Sequence, residues 1–241
     1  MKIYKVKNYD QMSQRAADVI AAQVLLNAKS VLGLATGTTP IGLYENLIAL
    51  NKQGKIDFSD IKTVNLDEYE GLEKSHNQSY SYFMHKYLFD HININAKNIN
   101  LPDGMAKDHE KECKRYDGVI ESFGGVDLQL LGLGHNGHIG FNEPDDQFIA
   151  NTHRVELTQS TINANARLFA DAADVPKYAY TMGMKTILQA KLILLIVSGK
   201  EKAGILNEAL FGPISPEVPA SLLQLHSNVI VIADDDAAAK L

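Results

Sequence analysis

Short apolar runs alternate along the chain with longer amphipathic segments. Leucine and β-branched residues without regular polar alternation are typical of strands covered on both faces. This pattern predicts strands at residues 31–34, 61–66, 99–101, 126–131, 192–197 and 229–232. Apolar positions three and four residues apart predict a first helix that Asp10 caps, with Met12, Ala16, Val19 and Ile20 on one face. The same spacing predicts helices at 40–50, 79–88, 107–123, 163–170, 182–189 and 200–210.

The order of these elements predicts the fold class. Strands and helices follow one another in turn, which favours an α/β fold with a parallel sheet and helices on both faces. The chain has 241 residues and no linker rich in proline, glycine or serine, so we expect a single domain over residues 1–241. Ligands of such sheets bind beyond the carboxyl ends of the strands. The residues that follow each strand are therefore the candidates for chemistry.

Composition excludes several classes of protein. The formal net charge of −6 argues against a nucleic-acid partner or an anionic membrane, although a local site can still be positive. Cys113 is the single cysteine, so no internal disulfide forms and a reducing cytoplasm is the expected location. The first residues lack the apolar segment of a signal peptide, and no stretch approaches the ~18 apolar residues of a membrane span.

The sequence "ATGTTP", residues 35–40, follows the strand at 31–34 directly. Gly37 permits a tight turn, Thr39 is a good N-cap, and Pro40 suits a first helical position. The next helix would then present free N–H groups to the ligand edge, with hydroxyl donors from Thr36 and Thr38. This arrangement favours an anion site, whereas ordinary capping of a strand-to-helix turn is the alternative.

Two acidic residues end the next long strand, in "NLDEYEGL". Adjacent side chains of an extended backbone point to opposite sides. One carboxylate can therefore face the ligand edge while the other meets a structural partner. Asp67 is the better candidate for the site because it follows the strand immediately, and Glu68 is the candidate for the structural contact.

The third strand end carries "GLGHNGHIGFNEP", residues 132–144. A loop that only had to turn would not need two histidines, a glutamate and an asparagine among its glycines. A zinc site is disfavoured, because zinc-binding histidines usually lie on a helix or pair with cysteines. A histidine oriented by a carboxylate instead makes a general acid or base near neutral pH, and His138 with Glu143 is that pair.

An anion site, a carboxylate base and an oriented histidine together suit sugar-phosphate chemistry. The segments "ATGTTP", "NLDEYEGL" and "LGLGHNGHIGFNEP", in this order, resemble the glucosamine-6-phosphate deaminase family, and the similarity extends through "SYSYFMHKYLF", "VPKYAYTMGM" and "SLLQLH". The resemblance implies a Rossmann-like, doubly wound and mostly parallel sheet. It also implies conversion of glucosamine 6-phosphate and water to fructose 6-phosphate and ammonia, without a metal or other cofactor.

The resemblance also implies roles for particular residues. Asp67 would be the proton-transfer base, His138 would open the sugar ring, and Glu143 would support it. The substrate phosphate would be held by Thr36, Gly37, Thr38, Arg167 and Lys202. Arg167 would belong to a mobile lid within about residues 150–177, which would exclude water while an enolamine is present.

Two departures from the family pattern bear on function. Many members carry an aspartate where this chain has Asn136, so the third member of the histidine-orienting group is neutral, and we expect Glu143 to supply the charge. Longer, hexameric members bind an effector phosphate after "FNEP", where this chain has Asp145 and Asp146, which would repel a phosphate. We therefore expect a monomer or weak dimer without allostery.

Two alternatives remain open at this point. A phosphogluconolactonase-like hydrolase of the same fold would need no proton exchange at C2. A non-catalytic sugar-phosphate sensor would need no base, so the presence of Asp67, His138 and Glu143 speaks against it, as does the absence of a DNA-binding segment.

Overall fold

The computed structural model describes residues 1–158, 162 and 175–241. Within them, one parallel sheet contains β1 (Lys2–Val6), β2 (Val31–Leu34), β3 (Lys62–Asn65), β5 (Ile99–Asn100), β6 (Leu128–Leu131), β9 (Leu192–Val197) and β10 (Val229–Asp234). A smaller antiparallel sheet contains β4 (Asp67–Tyr69), β7 (His153–Glu156) and β8 (Tyr178–Thr181).

The described helices follow the predicted segments closely. They are α1 (Tyr9–Leu26), α2 (Ile41–Lys52), α3 (Tyr80–Tyr87), α4 (His109–Ser122), α5 (Met184–Leu188) and α6 (Ala203–Phe211). Shorter 3-10 turns occupy Phe89–His91, Ala96–Asn98, Lys200–Lys202 and Pro219–Leu225. The predicted helix at 163–170 lies outside the described residues.

The parallel sheet is covered on both faces, as the apolar pattern predicts. Every residue of β2 and of β6 is buried, and the buried apolar side chains of strands and helices form one continuous cluster. Consecutive side chains of a strand alternate between faces, so a fully buried strand needs packing partners on each face. The predicted doubly wound α/β architecture is confirmed.

The strand order locates the edge at which a ligand would bind. The order is β1, β10, β9, β6, β2, β3, β5. From β2 the chain adds β3 and β5 toward one edge of the sheet, whereas β6, β9 and β10 are added toward the other. The order therefore reverses between β2 and β6, and a crevice forms at such a point beyond the carboxyl ends of the strands.

One capping prediction is wrong, one strand was missed, and the predicted lid is described only in part. Asn8, not Asp10, caps α1, because its side chain accepts a hydrogen bond from the N–H of Gln11 at 3.0 Å. Strand β1 was not predicted, since it is an edge strand whose outer positions are exposed lysines. The predicted lid range of 150–177 contains β7, and its residues 159–161 and 163–174 lie outside the described part.

Candidate active site

A cavity of about 550 Å³ opens where the strand order reverses. Its walls come from the residues that follow three strands: 35–40 after β2, Leu66 and Asp67 after β3, and 132–136 with His138 after β6. Tyr80 and Lys202 also line it. The three strand ends that the sequence singled out therefore meet around one cavity.

The loop after β2 leaves backbone donors available on the cavity wall. Gly37 has a φ of 97°, a conformation that favours glycine. Among the described residues, no acceptor receives the N–H groups of residues 36–39. Successive free N–H groups in a turn form a concave site for an anion. With the hydroxyls of Thr36 and Thr38, this loop can hold a phosphate.

The start of α2 differs from the prediction. Thr39 does not cap the helix: Pro40 occupies the N-cap position, without a side-chain hydrogen bond, and the helix begins at Ile41. The N–H of Gly42 donates to the hydroxyl of Tyr9 at 2.8 Å, so this first-turn donor is not available to a ligand. The loop amides, more than the helix terminus, carry the anion site.

Asp67 is the first residue of β4, where the chain leaves the parallel sheet and pairs with Thr181 of β8. The residue is 6% exposed, and its Oδ1 atom has no hydrogen-bond partner among the described residues. Burial, and then the negative charge of Glu68, raise the pKa of Asp67 to about 8. A carboxyl that titrates near neutral pH is suited to accept and return a proton.

Glu68 points to the opposite side of β4 and has a structural partner, as expected for adjacent residues of a strand. Its Oε1 atom accepts hydrogen bonds from the N–H groups of Tyr69 at 2.9 Å and Tyr80 at 2.8 Å. Its Oε2 atom accepts one from Ser81 at 2.8 Å. Glu68 thus fixes the N-terminus of α3 and the backbone of Tyr80, whose ring lines the cavity.

His138 lines the cavity, and Glu143 lies beside it. The Nδ1 atom of His138 is 3.2 Å from Oε2 of Glu143, and the side chains are 27% and 7% exposed. The contact is an ion-pair distance, but it is not aligned as a hydrogen bond. Catalytic hydrogen bonds are often poorly aligned in a free enzyme and tighten when substrate binds.

Asn136 joins the same group through both ends of its amide. Its Nδ2 atom donates to Oε2 of Glu143 at 2.6 Å, and its Oδ1 atom accepts from the N–H of His138 at 3.3 Å. The neutral residue therefore supplies a donor to the carboxylate that faces the imidazole. An aspartate at position 136 could not donate in this way without being protonated.

Lys202 lies at the end of the turn after β9, and its side chain reaches the cavity. Burial lowers the pKa of Lys202. Among the described residues, no carboxylate lies within ion-pair distance of its ammonium group. Arg167, the other cation predicted for the phosphate, lies outside the described residues.

Two cavity residues were missed by the site prediction. Tyr80 comes from α3, whose N-terminus is bound by Glu68, and it lines the cavity together with Asp67. His135 lies in the same glycine-rich segment as His138 and lines the cavity. Burial, and then the positive charge of Lys202, lower the pKa of His135. The glycine-rich segment already points to His135 in the sequence. Tyr80 can be recognised only in the folded structure, because its position depends on contacts between separate elements.

Two other kinds of feature are absent from the part of the chain that the structure describes. Among residues 1–158 and 175–241, no three His, Cys, Asp or Glu side chains converge in a way that could hold a metal ion. Within those ranges, no helix is both long and apolar enough to cross a bilayer.

Comparison with known proteins matches this architecture and these motifs. The glucosamine-6-phosphate isomerase/6-phosphogluconolactonase family model matches residues 6–232. The glucosamine-6-phosphate deaminase of Lachnoclostridium phytofermentans is 56% identical over 232 residues, which cover 96% of this chain and 98% of that protein. The glucosamine-6-phosphate deaminase of Clostridioides difficile is 53% identical over 241 residues, which cover 100% of this chain and 97% of that protein.

A solved structure extends the comparison to three dimensions. The structure of a monomeric glucosamine-6-phosphate deaminase superposes with a TM-score of 0.96 and 46% identity, covering 100% of both chains. The matched region contains the loop after β2, Asp67 and the segment 132–144. The chain belongs to the glucosamine-6-phosphate isomerase/6-phosphogluconolactonase family.

Proposed function

We propose that this chain is a glucosamine-6-phosphate deaminase, which converts glucosamine 6-phosphate and water to fructose 6-phosphate and ammonia. One observation carries the proposal. Asp67, a buried carboxyl with an unpartnered oxygen, lines the same cavity as Lys202 and as His138, whose ring lies beside Glu143. The curated relatives and the solved structure bear this activity in their names, which supports it.

Phosphate binding orients the sugar in this proposal. In our proposal, Lys202 and the free N–H groups of residues 36–39, which line the same cavity, form its phosphate-binding end. Thr36, Gly37 and Thr38 supply the loop contacts, and Arg167 supplies a second cation. The sugar carbons then extend from this end toward Asp67 and His138.

Ring opening is the first chemical step. A proton must leave the anomeric hydroxyl and reach the ring oxygen, and an imidazole carries out both transfers near neutral pH. His138 performs this transfer. Glu143 orients the imidazole of His138, and Asn136 holds the carboxylate in place through its 2.6 Å hydrogen bond.

Isomerisation and deamination follow from the open-chain aldehyde. Asp67 removes the proton from C2, whose acidity is raised by the adjacent carbonyl, and an enolamine forms. The carboxyl then returns the proton to C1, which leaves an imine at C2. Water adds to that imine and ammonia leaves. Each step moves a proton or a water molecule, so the proposal includes no metal and no organic cofactor.

The proposal also covers the organisation of the protein. Residues 1–241 act as one catalytic domain, and the segment at about 150–177 closes over the enolamine and excludes water. The enzyme works as a monomer or weak dimer in the cytoplasm. The monomeric state named for the solved relative and the single cysteine support these points.

One incubation tests the function. Purified protein with glucosamine 6-phosphate should release ammonia and fructose 6-phosphate in equal amounts, and Asp67→Asn under the same conditions should not. A separate assay with 6-phosphogluconolactone tests the hydrolase alternative. Lactone hydrolysis without ammonia release would replace the proposal by that alternative, and binding of the sugar phosphate without turnover would leave the sensor.

A further inference from the structure

Another buried carboxylate lies at the carboxyl edge of the parallel sheet, apart from the groups that the reaction uses. Asp234 is the last residue of β10 and is 6% exposed. Its Oδ2 atom accepts a hydrogen bond from the hydroxyl of Ser198. The N–H of Gly199 donates to both carboxylate oxygens at 3.2 Å, and the N–H of Ala237 donates to Oδ1 at 2.8 Å.

The carboxylate of Asp234 holds the backbone in place at Gly199. The φ of 101° at Gly199 is a conformation that residues other than glycine adopt only with strain. A Cβ atom there would also lie 2.5 Å from Oε1 of Glu201. The carbonyl of Gly199 accepts the N–H of Lys202 at 3.0 Å and so closes the turn over residues 200–202. The orientation of the Gly199 peptide therefore determines how the backbone of residues 200–202 begins.

The turn of residues 200–202 places the side chain of Lys202 at the cavity. Lys202 lines the cavity, whereas Lys200 is exposed and does not. A lysine side chain has a flexible four-carbon stem, so its position depends on how firmly its backbone is held. The hydrogen bonds from residues 198 and 199 to Asp234 fix the backbone at the start of this turn.

We propose that Asp234 is a positioning residue for substrate binding, which holds the turn of residues 199–202 so that Lys202 reaches the phosphate of the sugar substrate. The inference rests on the proposed function, because it assigns the phosphate to Lys202. Asp234 acts on substrate through the Gly199 peptide and Lys202. A phosphate held equally in ground and transition states contributes uniform binding, so the loss should fall on KM and not on kcat.

A double-mutant cycle separates positioning from general stability. The variants are Asp234→Asn, Lys202→Ala and the double variant, with Asp235→Asn as the control, because Asp235 is the exposed neighbour with the same charge. We expect Asp234→Asn to raise KM for glucosamine 6-phosphate about tenfold, with kcat within about twofold of wild type. Lys202→Ala should raise KM further, and Asp235→Asn should leave both constants unchanged.

The decisive comparison is the effect of Asp234→Asn when Lys202 is already gone. Residues that act through one another are not additive, so the KM increase should disappear in the Lys202→Ala background. The same fold increase in both backgrounds would overturn the inference, as would a fall in kcat with KM unchanged. Ser198→Ala removes only one of the donors to Asp234 and tests the inference if Asp234→Asn does not fold. Its KM should rise less, and an unchanged KM for that variant would count against the inference.

Inorganic phosphate distinguishes failure of the inference from failure of the proposed function. Calorimetric titration of the wild-type protein with phosphate measures the anion site without any turnover. Absence of ammonia release by the wild type would reject the deaminase proposal alone. Weaker phosphate binding by Asp234→Asn, but not by Asp235→Asn, would still support positioning by Asp234, and equal binding by both variants and wild type would reject it.

Discussion

The imidazole of His138 packs directly against the backbone of Gly134. A Cβ atom built on Gly134 would lie 2.4 Å from each of three ring atoms, Cδ2, Cε1 and Nε2. The N–H of Gly134 also donates to the carbonyl of His138 at 2.9 Å, so the two residues close a short loop. Gly134 is therefore required by the position of the ring, and not by an unusual φ.

Gly134→Ala should displace His138 while the fold is retained. The new methyl group cannot fit, so the ring must move away from Glu143 or toward the cavity. A shift of about 1 Å in a catalytic group can reduce the rate about 10²-fold, and we expect a loss of kcat of that order. Gly118→Ala is the control, because Gly118 lies exposed in α4 and a methyl group added there would meet no neighbouring atom within 4 Å. Wild-type kcat for Gly134→Ala would show that the ring position is not critical.

Asp67→Asn tests the proton-transfer base. The amide keeps the shape of the side chain and removes its basicity, and loss of a general base costs about 10²–10⁴ in rate. The measurement is incorporation of deuterium from heavy water at the migrating carbon, followed by mass spectrometry of the hexose phosphate. Incorporation at the wild-type rate would mean that another group carries the proton between C2 and C1.

The same substitution should make the protein more stable, and more so as the pH rises. Burial raises the pKa of Asp67 from 3.8 to about 8, so between those values the folded state keeps a proton that the unfolded state has lost. Unfolding then releases that proton, and the stability of the wild type falls as the pH rises through this window. Urea unfolding at pH 5 and pH 8 should show a gain for Asp67→Asn that increases with pH, by about 1 kcal/mol or more at pH 8.

Asp60→Asn provides the comparison for this stability measurement. Asp60 is exposed on a loop, and the substitution removes the same charge from the surface of the protein. We expect the stability of Asp60→Asn to follow that of the wild type at both pH values. A pH-dependent gain shared by the two variants would trace to net charge, and the burial of Asp67 would then have no part in it.

His138→Gln separates ring opening from the later steps. Glutamine can hydrogen-bond to the sugar but cannot carry a proton between the anomeric hydroxyl and the ring oxygen. Turnover of cyclic glucosamine 6-phosphate should fall far more than turnover of an open-chain analogue that cannot cyclise. Pre-steady-state rates with both substrates give the ratio, and equal losses would assign His138 to a different step.

The fold was predictable where apolar runs are unbroken. Strands β2 and β9 have the predicted bounds, because both are short apolar runs without polar residues, which mark a strand buried on both faces. The antiparallel strands were missed for a physical reason. Strand β4 has three residues and exists because Asp67 pairs with Thr181, a partner that no local pattern reveals.

The candidate site was likewise only partly predictable from the sequence. Asp67 and His138 could be assigned to the ligand edge because each follows a strand of the parallel sheet and the carboxyl ends of such strands meet, whereas Lys202 was named from the family resemblance alone. The contacts that position them were not identifiable. Glu68 reaches Tyr80 across twelve residues, and Asp234 reaches Gly199 across thirty-five. Such contacts depend on the register of strands and on the entry angle of a helix, which a single sequence does not specify.

The described residues that follow Pro144, up to residue 158, offer no free cation for an effector phosphate. The guanidinium of Arg154 pairs with the carboxylate of Glu70 and lies 3.4 Å from the centroid of the Tyr178 ring. Burial lowers the pKa of His153, which favours its neutral form. Asp145 and Asp146 are exposed, and their charges repel an anion.

These contacts predict hyperbolic kinetics. Allostery needs a second site and two states that the effector binds differently, and the arginine of this segment is already held by Glu70. Initial rates against glucosamine 6-phosphate should follow a hyperbola, and N-acetylglucosamine 6-phosphate should leave its shape unchanged. Mass measurement in solution should give a monomer or a weak dimer. A sigmoidal curve that the acetylated sugar converts to a hyperbola, or a stable hexamer, would contradict this prediction. Another surface would then have to supply the effector site, because Arg154 already contacts the carboxylate of Glu70 and the ring of Tyr178.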